Sequence, residues 1–158
     1  MLERRLRLLQ EMPILGGIRE DTLDVLLGTV NELTVPAGEY LFRENDPGDA
    51  MYVLEAGHVA ILKRWQGIDY RLNELQVGDC IGEMSFIDLG RRSASVLAMS
   101  DLTLIELTHA SILDLYERDL EQFAIIQMNI GRELSRRLRL ADEARVHELL
   151  EAEHFPQH

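Results

Sequence analysis

The chain has 158 residues, 46% of them hydrophobic, and 16 Lys and Arg against 28 Asp and Glu give a net charge of −12. That size suits one domain with an adequate core, and the hydrophobic share excludes global disorder. The acidity argues against unaided nucleic-acid binding, the lone Cys80 excludes an internal disulfide, and no apolar run reaches the about 18 residues of a transmembrane helix.

In chain order, Leu2, Leu6 and Leu9 recur at helical spacing among charges. This start lacks the continuous apolar stretch of a secretion signal, so the expected compartment is the cytoplasm. After the Pro13–Gly17 break, Asp21 is expected to cap a second helix carrying Leu23, Leu26, Leu27 and Val30. From about residue 32 to 108 the apolar runs are short. They are Leu33–Val35, Tyr40–Phe42, Met51–Leu54, Val59–Leu62, Tyr70–Val77, Ala94–Ala98 and Leu102–Leu107. Turn signals such as Pro36-Ala37-Gly38 and Asp46-Pro47-Gly48 separate them. Many short strands with no helix between them predict an antiparallel jelly roll or sandwich. The stretch Gly82–Leu89 has neither alternation nor a turn dipeptide and is expected to hold one helical turn.

Residues 110–153 return to helical periodicity. Ile126, Ile130, Leu134, Leu138 and Ala141 form an apolar stripe between charged residues. The helix they imply is longer than a globular domain usually needs. Two uses are open: packing on the sheet, or a homodimer seam. The expected fold is mainly β with flanking helices, in one domain: helices over 1–31, jelly roll over 32–108, helices over 110–153.

The stretch from Val77 to Val96 carries the chemistry. Gly82 lets the backbone approach a ligand, and a helical turn opening at Glu83 would present free N–H groups to an anion. A chain that turns at Gly90 returns Arg92 over the same point, where its guanidinium can grip a phosphate through two parallel hydrogen bonds. Glu83 can accept hydrogen bonds from sugar hydroxyls. Together they describe a sugar-phosphate pocket. The plainer alternatives are a surface ion pair for Arg92 and a helix cap for Glu83. Cys80 is expected to be a small buried hydrophobe. No His-x-His pair with a following Glu and no nucleophile elbow occur, so no metal, no cofactor and no enzymatic activity are expected.

Gly78-Asp79-Cys80-Ile81-Gly82-Glu83-Met84-Ser85, followed by Arg92-Ser93-Ala94, resembles the phosphate-binding cassette of the cyclic nucleotide-binding domain family. Pro36-Ala37-Gly38-Glu39, Phe42, Gly48-Asp49-Ala50-Met51-Tyr52-Val53-Leu54 and Gly57-His58-Val59 are similar to that fold's first hairpins. The resemblance covers about Leu15 to Ala144 and implies a jelly roll with terminal helices that binds cAMP or cGMP. It makes Glu83 the ligand of the ribose 2′-hydroxyl and Arg92 that of the cyclic phosphate. Gly82, Glu83 and Met84 become backbone contacts, and Ser85, Ser93 and Ala94 complete the cassette, with Ser93 near the phosphate or base edge. Met84, Val77, Leu75, Ile61 and Met51 are expected on the apolar floor. Arg137, Ala141 and Asp142 of the long helix are expected near the base, where Asp142 would favour guanine.

Transcription factors of this family add a helix-turn-helix after the long helix. This sequence ends at His158 without one, so DNA is not an expected partner, and neither is a membrane. What is expected is a stand-alone sensor whose ligand shifts the C-terminal helix, with an unknown protein effector and a homodimer through that helix. The alternative is a ligand-free interaction module on the same fold.

Overall fold

The computed structural model describes residues 2–83 and 89–153. The chain opens with α1 (Leu2–Glu11), a 3-10 turn (Pro13–Leu15) and α2 (Glu20–Leu27). Eight strands follow: β1 (Asn31–Val35), β2 (Tyr40–Phe42), β3 (Ala50–Ala56), β4 (Val59–Trp65), β5 (Ile68–Leu75), β6 (Cys80–Ile81), β7 (Ser95–Ala98) and β8 (Leu102–Thr108). Two helices close the described chain, α3 (His109–Arg118) and α4 (Leu120–Glu153). The strands form two antiparallel sheets in the orders β1-β8-β3-β6 and β2-β7-β4-β5, the jelly roll that the turn spacing predicts.

Strands β3 and β8 are covered on both faces. Tyr52 and Leu54 of β3, with Leu102 and Leu104 of β8, point between the sheets and meet Val35, Val59, Ile81 and Val96. Met51 and Val53, with Ile105 and Leu107, point outward to a second cluster. There they meet Leu8, Leu9 and Met12 of the N-terminal segment and Ile126 and Ile130 of α4. Alternate residues of one strand thus feed two cores, which is why these strands read as apolar runs and not as alternating patterns.

The structure corrects one local expectation and adds two details. Asp21 does not cap α2; Arg19 holds the cap position, and Asp21 lies inside the first turn, where its Oδ1 accepts from the Thr22 backbone N–H at 2.9 Å. An acid placed there still favours the positive end of the helix. Strand β6 is only two residues long, too short to show alternation, and it pairs Ile81 with Tyr52 and Cys80 with Val53. The third zone breaks at Asp119, whose side chain accepts from the Gln122 N–H at 3.2 Å, so α3 and α4 are separate helices.

The apolar stripe on α4 divides in two. Ile126 and Ile130 are buried and Leu134 packs beside them, whereas Leu138 and Ala141 are exposed. The buried half is fastened by polar groups as well. Asn129 Nδ2 donates to the carbonyls of Ile14 at 3.1 Å and Gly16 at 2.7 Å, and Gln122 Oε1 accepts from the Arg19 N–H at 2.9 Å. The N-terminal turn and α4 therefore form one layer over the outer face of the β1-β8-β3-β6 sheet. Replacing Asn129 by Ala strands two carbonyls in a partly buried seam. An unmet buried polar group costs about 1–3 kcal/mol, so Asn129→Ala is expected to lower the urea midpoint by that much stability without changing the slope.

Candidate functional site

A cavity of about 660 Å³ lies between the β2-β7-β4-β5 sheet, the segment after β5, the N-terminal turn and α4. Its wall starts from Gly82. This residue follows β6 at a φ of +79°, a conformation that costs little only without a side chain. A Cβ placed there would lie 2.4 Å from Arg92 Nη1, so the glycine also makes the room the arginine occupies.

Arg92 is held in irregular backbone ahead of β7. Its N–H donates to the Asp46 carbonyl at 2.8 Å, and its own carbonyl accepts from Asn45 at 2.9 Å. The guanidinium stacks on Phe42 with its central carbon 4.1 Å from the ring centroid, and Nη1 donates to the Gly82 carbonyl at 3.1 Å. The residue is only 3% exposed. Among the described residues it forms no ion pair, and its Nε is buried without a hydrogen-bond partner. Stacking on an aromatic ring recovers about 0.5–2 kcal/mol. An unpaired buried charge costs several. A buried guanidinium in that state can receive an anion.

Glu83 is also buried, but it is paired. Its Oε1 meets Arg137 Nη2 of α4, and Arg137 Nε reaches Glu133 Oε1 at 3.3 Å. Arg136 Nη2 donates to the same Glu133 oxygen at 2.6 Å. These four residues form a chain of alternating charge across the cavity wall. Hydrogen bonding to Arg136 outweighs desolvation and holds the Glu133 carboxyl below its ordinary range. For Arg137, burial works to lower the pKa, but the charge and hydrogen bond of Glu83 overcome it and the net shift is upward. Burial, then the neighbouring Glu83 carboxylate, pushes the Cys80 thiol up, so Cys80 stays a neutral thiol.

Gly82, Glu83, Arg92, Ser93, Ala94 and Arg137 all line this one cavity. Strand alternation would have separated Arg92 from Ser93; both reach the cavity because β7 starts only at Ser95. Leu75 and Ile61 also line it, as expected. Met84 and Ser85, and most of the helical turn expected over Gly82–Leu89, lie outside the described residues. Asp142 does not reach the cavity. It is exposed, on the face of Leu138, which itself turns to solvent, and it stands five residues beyond Arg137, well around the helix. Ala141 is exposed for the same reason. Met51 faces the helical core and Val77 is exposed, so neither forms the floor. Sequence reasoning missed Glu133 and Arg136, and it placed Phe42 only in the match to the first hairpins, not at the site. The i,i+3 and i,i+4 spacing of Glu133 to the two arginines was a usable signal for an ion-pair cluster. Nothing in the sequence marked Phe42 as the platform for Arg92.

Residues 32–119 match the family described as cyclic nucleotide-binding domain. Over 131 residues the chain is 33% identical to the cyclic AMP receptor protein of Thermus thermophilus, a stretch that covers 82% of this chain and 59% of that protein. It is 31% identical over 99 residues to a cAMP-dependent protein kinase regulatory subunit of Emericella nidulans, covering 63% of this chain and 24% of that protein. The crystal structure of the catabolite activator protein of Thermus thermophilus superposes with a TM-score of 0.75 at 31% identity, covering 89% of this chain and 63% of that one. The chain thus spans under two thirds of the length of each of these relatives.

The Glu133 shift fixes a sign. A carboxyl whose folded pKa is depressed adds stability above its unfolded value, near 4.5, and loses it as pH falls through the folded value. Glu133→Gln is expected to cost on the order of 1 kcal/mol at pH 7. That gap should close as the pH is lowered below about 4.5, in thermal melts of both proteins across the range. Gly82→Ala must adopt a left-handed backbone and displace the Arg92 guanidinium, and is expected to cost about 1–3 kcal/mol in the same melts.

Proposed function

The chain belongs to the cyclic nucleotide-binding domain family, and we propose that it is a cyclic nucleotide sensor whose ligand acts through α4. The observation that carries the proposal is Arg92, a buried guanidinium with no acidic partner among the described residues, aimed into a cavity of nucleotide size. In this reading the cyclic phosphate sits on Arg92, beside Gly82 and next to Ser93 and Ala94. Glu83 accepts from the ribose 2′-hydroxyl, and Met84 and Ser85 complete the cassette. The apolar wall of Ile61, Leu75 and Val96 takes the flat faces of the sugar and base.

The base is proposed to be adenine. Asp142, the residue that would have favoured guanine, lies outside the cavity, and two relatives carry cyclic AMP in their names. Regulation would follow from Arg137. A ribose hydroxyl and the Arg137 guanidinium compete for one carboxylate, so the ligand prefers a state in which α4 has moved from Glu83. A ligand shifts an equilibrium only through such a difference between states. The half of α4 beyond Leu134 exposes Leu138, Val146, Leu149 and Leu150, a face suited to a second copy of the chain and to a protein effector. The domain is then regulatory, with no reaction of its own. A ligand-free interaction module is the second reading, favoured by one feature: Glu83 already has a partner in Arg137.

Calorimetric titration with cAMP and cGMP separates the two readings. Binding of cAMP by the unmutated chain is expected. Arg92→Ala should lose about thirty- to several-thousandfold in affinity, the 2–5 kcal/mol typical of removing one partner of a buried charge pair. Equal affinity in the variant would overturn the site, and no heat from the folded chain with either nucleotide would favour the module. Glu83→Ala should weaken cAMP more than 2′-deoxy-cAMP, because only the first offers the hydroxyl that Glu83 accepts from.

A further inference from the structure

Among the described residues, the hairpin of β4 and β5 leaves one sheet edge open. Strand β5 is the last strand of its sheet, and seven of its eight residues are exposed. Trp65, Ile68, Tyr70 and Leu72 are large and apolar, yet face solvent at 65%, 57%, 49% and 61%. A long exposed apolar edge is a template for pairing with another strand.

The turn decides which backbone groups are free. Gln66 and Gly67 both have positive φ, 52° and 80°, so the hairpin closes by a two-residue turn on the pair Trp65 and Ile68. Such a closing pair is hydrogen-bonded, and antiparallel pairs then alternate. Tyr70, opposite Lys63, is the next bonded pair. The backbone groups of Ile68 and Tyr70 are therefore turned toward β4, while those of Asp69 and Arg71 point out at the free edge. After Arg71 the register shifts, with Leu72 inserted between the Leu62–Arg71 and Ile61–Asn73 pairs, and this bulge ends the regular edge.

We propose that β5 pairs antiparallel with β5 of a second copy, about a two-fold axis through Tyr70. Charge selects that register. Outward-facing residues must meet outward-facing residues, which leaves Asp69 on Asp69, Arg71 on Arg71, or Asp69 on Arg71. The first two oppose like charges. The third opposes unlike charges twice, sets Tyr70 against its own copy and Ile68 against Leu72. Each of these pairs is of a kind that stabilises a sheet. Both Asp69–Arg71 pairs exchange their N–H and C=O groups, so the seam is satisfied on both chains. The bulge limits it to five residues a side, from Ile68 to Leu72, so the contact is short and weak compared with a standard interface. It lies on a different surface from the exposed face of α4, and only Leu72, at its end, also lines the cavity.

The test is the association of the full chain in sedimentation equilibrium, up to about 1 mM, where a millimolar contact is half formed. Asp69→Arg alone and Arg71→Asp alone each oppose like charges twice and are expected to weaken the association about tenfold. An equimolar mixture of the two variants opposes unlike charges again and should recover it. An unmutated chain with no association up to that concentration, variants that associate as the unmutated chain does, or a mixture that stays apart would each overturn the pairing. A second measurement reads the geometry. Tyr70→Cys places two thiols across a closely spaced, non-bonded pair and should oxidise to a disulfide-linked dimer, whereas Ile68→Cys, facing Leu72 of the other copy, should not. The reverse order would also overturn it.

Discussion

The site is organised by one buried positive charge. Arg92 sits under the Gly82 backbone and on the face of Phe42, and both neighbours are shaped around it. Gly82 cannot carry a side chain without entering the guanidinium, and Phe42 gives it only a weak attraction. The fold therefore holds a charge that its described residues do not neutralise. Proteins accept such a cost where an anion repays it, and the short irregular stretch from Arg92 to Ala94 exists to aim the charge. Asn45 and Asp46, in the loop after β2, lock that stretch from behind through two backbone hydrogen bonds. The cost of a buried cation is thus tied directly to the strand order of the jelly roll, which brings the β2 loop beside β7.

A second set of charges connects the cassette to α4. Glu83, Arg137, Glu133 and Arg136 alternate in sign, and the two carboxylates are the buried members while the guanidinia reach toward solvent. Glu133 is satisfied within its own helix, so it needs nothing from the jelly roll. Among the described residues Glu83 has no such partner nearby in sequence, and its pairing to Arg137 is an ion pair that crosses from the sheet domain to the helix. The two acids differ for that reason: one steadies α4, the other couples α4 to the cavity.

The jelly roll was legible in the sequence because its turns are written in Gly, Pro and Asp, and because β3 and β8 each feed two cores and so form unbroken apolar runs. The cassette was legible through Gly82, Glu83 and Arg92, residue types that a sugar phosphate requires at close quarters. Two kinds of feature were not legible. Strand β6 and the cap of α2 depend on one or two residues and leave no periodic trace. The placement of Asp142 depends on where a long helix leaves the surface it packs on. A stripe of apolar residues at steps of four continues past that point unchanged, from Ile130 to Leu138, while the environment switches from core to solvent. Periodicity reports which residues share a face, not how far the covering surface extends.

That division of α4 bears on how the helix can move. Its first turns are pinned by Asn129 to two carbonyls of the N-terminal turn and by Ile126 and Ile130 to the core beneath. Beyond Leu138 every described residue of the helix is exposed. Between them lies the charge cluster, through which the helix grips Glu83 of the cassette. A helix fixed at one end, free at the other and held in the middle by ion pairs is a lever. Packing sets its pivot, and a change at Glu83 is applied close to that pivot. A small displacement there is carried along some fifteen residues of rigid helix, about 1.5 Å of length for each residue. In the mechanism proposed above, the length of α4 sets the distance over which an event in the cavity would be felt.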